Sequence, residues 1–61
     1  MSRRYEVVLY LRWDCADEVH DAELCERMNA ESEAHAVSIA TDRVRMWFQG
    51  RIEDARVKEL R

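Results

Sequence analysis

Proline is absent from this chain and glycine occurs once, at Gly50. That poverty excludes collagen-like, linker and low-complexity classes, which depend on those residues. No apolar run near the N-terminus is long enough for a signal peptide or a membrane span, so a cytoplasmic protein without membrane contact is expected. Cysteine is scarce too: Cys15 and Cys25 make no disulfide framework. With 61 residues there is no room for a Rossmann unit plus a substrate domain, or for a barrel. What remains is one small domain, residues 1–61, with hydrophobic residues at 48% and charged residues at 38%, a balance that suits a folded chain.

Charge is unevenly distributed. Between Asp14 and Glu33 eight carboxylates face a single cation, Arg27, whereas both flanks are basic. Nine of the ten basic residues are arginine, which favours planar, bidentate or stacked recognition. The net charge of −3 argues against a purely electrostatic DNA binder.

Residues 4–14 alternate. Tyr5, Val7, Leu9, Leu11 and Trp13 share one parity, and Arg4, Glu6, Val8, Tyr10, Arg12 and Asp14 the other. Period two with β-branched and aromatic residues predicts a long strand with one fully apolar face. Asp14 can cap a following helix reaching about Glu33, rich in Ala, Glu, Leu and Met. Cys15 and Cys25 would then stand about 15 Å apart along one helix, too far to bond. Val37 with Ile39, and Val44 with Met46 and Phe48, predict a hairpin turning at Thr41-Asp42. Gly50 would end it, and residues 52–61 would form a second helix opening on Glu53 and Asp54. The expected class is α+β in the order strand, helix, strand, strand, helix, an antiparallel sheet with its helices on one face.

Three chemistries come to mind from the side chains. Cys15, His20, Cys25 and His35 suggest a metal, but the first three diverge on a helix and zinc needs convergent ligands, so no metal or other cofactor is expected. Asp17, His20 and Asp21 on a helix surface have neither cleft nor oxyanion donors, so no catalytic residues and no enzyme are expected. The third is an interface. Tyr10 and Arg12 from the first strand would share an open sheet face with Arg43, Arg45, Trp47 and Gln49 from the third. Aromatics interleaved with arginine can stack unpaired RNA bases or meet a protein partner, and a chain this small favours the partner.

Two families share patterns with these residues. Val44-Arg45-Met46-Trp47-Phe48-Gln49-Gly50-Arg51 resembles a homeodomain recognition helix, but Gly50 stands where that family reads adenine with Asn, and Glu53-Asp54 stand in its basic run. More of the chain resembles the small dimerising subunit of the KEOPS complex, which makes threonylcarbamoyl-adenosine in tRNA. Tyr5 to Trp13 matches its strand, Val37–Ile39 and Val44–Phe48 its hairpin, and Gly50, Glu53, Asp54 and Arg56 the opening of its second helix. The resemblance implies a non-enzymatic, dimer-forming subunit of a larger assembly, with a second copy, a larger protein and tRNA or other RNA as expected partners. The rivals are a small nucleic-acid-binding module and a phage-type regulator that binds a host protein through an acidic helix.

Overall fold

The computed structural model describes residues 2–61, in the order β1 (Arg3–Cys15), β2 (Glu18–Ala30), α1 (Glu33–Arg45) and β3 (Arg51–Leu60). β1 is the centre of a three-stranded sheet of order β2-β1-β3, antiparallel to both neighbours. β2 and β3 therefore run parallel to each other, and α1 is the crossover between them, a split β-α-β arrangement.

The first strand follows its alternation. Tyr5, Val7, Leu9 and Leu11 are buried against the helix, while Val8 and Tyr10 look out from the other face half-buried. β1 is central because it alone carries an unbroken apolar face, and only the middle of the sheet can be covered from both sides by neighbouring strands.

The rest of the expected order is overturned. The segment expected as a helix from Asp14 to about Glu33 is a tight turn followed by β2. Its even residues, Ala22, Leu24, Met28 and Ala30, lie on the helix side opposite Leu11, Leu9, Tyr5 and Arg3. Helix formers go into a strand here because the apolar face of β1 needs a partner, and pairing outweighs propensity. Cys15 and Cys25 consequently lie on different strands, both as exposed free thiols. The turn consists of Ala16 and Asp17 alone, with φ of 50° and 68°. Two consecutive left-handed residues in a two-residue loop form a type I′ turn, whose twist matches that of the flanking strands.

The expected hairpin over Val37–Phe48 is instead α1 and the loop after it. Ala36, Ala40 and Val44 recur every fourth residue and are fully buried against the sheet. Ser32 caps the helix, its hydroxyl accepting from the His35 amide at 3.1 Å, while the Glu31 amide donates to His35 Nδ1 at 3.2 Å. Glu33 in the first turn and Arg43 and Arg45 in the last complement the helix dipole. The KEOPS-like element order rested on this hairpin, and that order is not the one the chain adopts.

The expected second helix over 52–61 is β3, with a bulge. Tyr10 pairs with Asp54 and Leu11 with Ile52, which leaves Glu53 as the extra residue. The bulge moves Ile52 onto the same face as Ala55 and Val57, all three packed at the margin of the core.

Length mismatch shapes the molecule. A 13-residue strand spans about 43 Å, whereas a 13-residue helix spans only about 20 Å. The hairpin therefore runs on past the helix, and the molecule measures 46 × 19 × 13 Å.

Candidate interaction surface

Beyond the end of α1, the helix side of the hairpin is covered only by the loop that leads into β3. Trp13 and His20, paired across β1 and β2, stack with ring centroids 5.7 Å apart. Phe48 meets Trp13 edge-on at 5.8 Å, and Trp47 meets Phe48 at 6.0 Å. The loop is anchored to the helix end, since the Phe48 amide donates to the Val44 carbonyl at 2.8 Å and that of Trp47 to the same carbonyl at 3.1 Å. It passes close to β1 at Gly50, where a Cβ would lie 2.5 Å from the Arg12 carbonyl oxygen. The result is an open groove of about 1010 Å³ floored by Leu11, Trp13, Ala22, Leu24, Trp47 and Phe48.

Three large apolar residues of this end are exposed to solvent, Trp47 at 63%, Val19 at 62% and Met46 at 86%, while Trp13 and Phe48 are half-buried. The aromatic line thus runs from the margin of the core at Trp13 and Phe48 out to exposed Trp47, and an uncovered aromatic end of this kind suits a contact surface. The hairpin end carries Asp14, Asp17, Glu18, Asp21 and Glu23, while the charged residues that line the groove itself are mixed, Asp14 and Glu23 with Arg12 and Arg51.

The opposite face of the sheet is a different surface. Arg27 donates to Glu6 at 3.2 Å, Arg56 lies 3.7 Å from Asp54, and Arg12 lies 3.6 Å from Glu53. The Arg56 guanidinium also sits 5.7 Å from the centre of the Tyr10 ring. The hydrogen bond from Arg27, helped by one from Cys25, holds the Glu6 carboxyl below its ordinary range, though burial opposes this. Desolvation, and then the hydrogen bond to Glu6, pushes the Cys25 thiol up. On the helix side, Glu26 points among Val7, Leu24 and Met28, with Arg43 at 3.7 Å as its counter-ion and one carboxylate oxygen buried without a hydrogen bond.

The expected interface residues are thus divided. Tyr10 and Arg12 are on the open sheet face, where Arg56 from β3 takes the place expected for Arg43 and Arg45. Arg43 and Arg45 belong to the last turn of α1, Arg43 facing Glu26. Trp47 and Gln49 line the groove at the hairpin end, with Arg12 at its margin. The face expected to gather all six does not form, because the segment from Arg43 to Gln49 is helix and loop rather than strand. Trp13 and His20, the centre of the aromatic line, were placed by sequence in a core strand and on a helix surface. Their pairing depends on the two-residue turn, which no Asn-Gly announces.

Among the described residues no group of three or more His, Cys, Asp or Glu side chains is arranged to hold a metal ion. No helix among them is long and apolar enough to cross a membrane. Compared with protein-family models, with curated proteins and with solved structures, the chain matches none.

Proposed function

We propose that this protein is a small non-enzymatic interaction subunit that works as a homo-oligomer, a dimer first of all, within a larger assembly. One observation carries the reading: the hairpin outruns its helix, leaving an aromatic groove and two unpaired sheet edges uncovered on a chain of 61 residues. A domain of this size buries only about 60% of the surface its unfolded chain exposes, so covering further apolar area by association is a large fraction of its stability. The KEOPS-like element order is absent, so the proposal names no particular assembly.

RNA contact is the weaker reading. Arg3, Arg12, Arg27, Arg43 and Arg56 each lie 3.2–3.7 Å from a carboxylate of the same chain, and in the groove Arg12 and Arg51 are balanced by Asp14 and Glu23. Neither surface offers the continuous positive potential that a phosphate backbone needs.

Sedimentation over a dilution series tests the proposal. A self-associating subunit shows a mass above the monomer at micromolar concentration and a melting temperature that falls on dilution. A monomer throughout, with a constant melting temperature, overturns it. Tight, salt-sensitive binding of a single-stranded RNA by the monomer would put the nucleic-acid reading in its place.

A further inference from the structure

The geometry points to a specific dimer, in which β2 of one copy pairs antiparallel with β2 of a second copy about a two-fold axis through Leu24. This deepens the self-association proposed above and rests on it.

The starting point is the backbone. A turn at Ala16-Asp17 closes with a hydrogen bond between Cys15 and Glu18, which are paired in the ladder. From there the amides and carbonyls of β2 alternate in direction. The even-numbered residues from Glu18 to Ala30 spend theirs on β1. The odd-numbered ones, Val19, Asp21, Glu23, Cys25, Arg27 and Asn29, present theirs at the free edge. This edge is thirteen residues long, and its register with β1 is unbroken. Long regular edges are the ones that recruit another strand. The other edge is protected: β3 is shorter and carries the bulge at Glu53.

Strand length and charge together select the register. A two-fold axis keeps each face with its own kind, so a residue must oppose one of equal parity. Leu24 is the midpoint of Glu18–Ala30, and an axis there pairs the whole strand. Asp21 comes opposite Arg27 of the second copy, twice by symmetry; Val19 opposes Asn29, His20 opposes Met28, and Leu24 opposes itself. No two like charges meet. Shifting the axis by one residue to Glu23 would set that carboxylate against its own copy, and like charges directly opposite are destabilising; shifting it to Cys25 would keep an opposite-charge pair, Glu23 with Arg27, but leave Glu18 and Val19 without strand partners.

Shape gives the same answer. The axis stands perpendicular to the sheet, so both helices lie on one side of a six-stranded sheet made from two three-stranded ones. Each helix covers the half of its own sheet nearest Ala30, and the hairpin end that it leaves bare lies beside the partner's Ala30 end. The Trp13–His20 stack of one copy thereby approaches the covered half of the other, and the exposed aromatic line gains a neighbour.

Disulfide trapping tests the axis. With Cys15→Ser and Cys25→Ser as background, Leu24→Cys places thiols on a non-hydrogen-bonded pair about 4.5 Å apart at Cα, within disulfide range. Mild oxidation with glutathione should convert most of this variant to covalent dimer, while Ala55→Cys in the same background, on the β3 edge, should stay monomeric in denaturing gels. Asp21→Arg should raise the dimer dissociation constant about tenfold, since two attractive pairs become repulsive, with circular dichroism unchanged. A dimeric parent whose Leu24→Cys variant does not cross-link, or whose Ala55→Cys variant does, overturns this interface and leaves self-association standing. A monomeric parent overturns both.

Discussion

Replacing Gly50 by alanine should destabilise the fold, although this glycine does not adopt a left-handed conformation and stands in an exposed loop. The reason is proximity. A Cβ at this position would lie against Phe48 Cζ, 2.5 Å from the Arg12 carbonyl oxygen and 2.9 Å from Trp13 Cβ. The Phe48 ring can swing away, but the other two atoms belong to the central strand, so relief requires moving backbone by about half an ångström. Overpacking of this kind costs about 1–3 kcal/mol. Alanine returns about 0.4–1 kcal/mol by restricting the unfolded chain, which leaves a net loss of about 1–2 kcal/mol. The whole domain, at about 0.05–0.15 kcal/mol per residue, has only about 3–9 kcal/mol to lose. At about 4–8 °C per kcal/mol, the melting temperature should fall by about 5–15 °C at fixed protein concentration. Thermal melts followed by circular dichroism measure this directly. Trp47 and Trp13 fluorescence should also change, because the loop that seats Phe48 must lift. An alanine variant melting within about 2 °C of the parent would refute the close approach of loop and strand.

Two further outcomes follow from local geometry. Ala16→Asn with Asp17→Gly should raise stability by about 1–2 kcal/mol, since left-handed conformations cost ordinary residues about that much and this pair suits a type I′ turn; chemical denaturation showing no gain would mean that the turn is not of that type. Glu6 has a depressed folded value, so its contribution is full above the ordinary glutamate range and is lost as pH falls through the lower folded value; denaturation midpoints should therefore decline more gently on the acid side in Glu6→Gln, and identical acid slopes would exclude the Arg27 contact as the cause.

How far the fold could be read from sequence differed from element to element, for identifiable reasons. β1 was legible because its alternation is unbroken from Tyr5 to Leu11 and every residue of that parity is buried. β2 has the same alternation over Asp21–Ala30, but Glu26 interrupts the apolar parity and the residue types favour helix. Its strand state comes from pairing with β1, a long-range term that propensity omits. In α1 the decisive spacing is Ala36, Ala40 and Val44, three small residues that let the helix approach the sheet closely. The bulkier Val37 and Ile39 suggested a strand, although both only flank the core. β3 was hidden by its bulge. With Glu53 extruded, the inward residues Ile52 and Ala55 are three apart, a helical interval, and only Ala55 and Val57 keep the interval of two.

The same physics explains why the surface was only partly legible. Trp47 was expected to face away from the core, and it does stand exposed, but at the end of a loop rather than on a strand beside Tyr10. The groove is made by residues far apart in sequence. His20 reaches Trp13 across the turn, and Phe48 reaches Trp13 because Gly50 lets the loop cross the strand. None of these contacts has a local periodicity to announce it. What sequence did contain was the acidic run from Asp14 to Glu33, and the strand gives that run a meaning a helix would not. On a helix, eight carboxylates would coat a solvated cylinder. On an edge strand, Asp21 and Glu23 stand on the same face as Arg27, and that spacing brings Asp21 opposite Arg27 only when the strand meets its own copy in reverse. In the proposed dimer the charges that protect this edge from indiscriminate pairing would thus favour another β2, met over its full length.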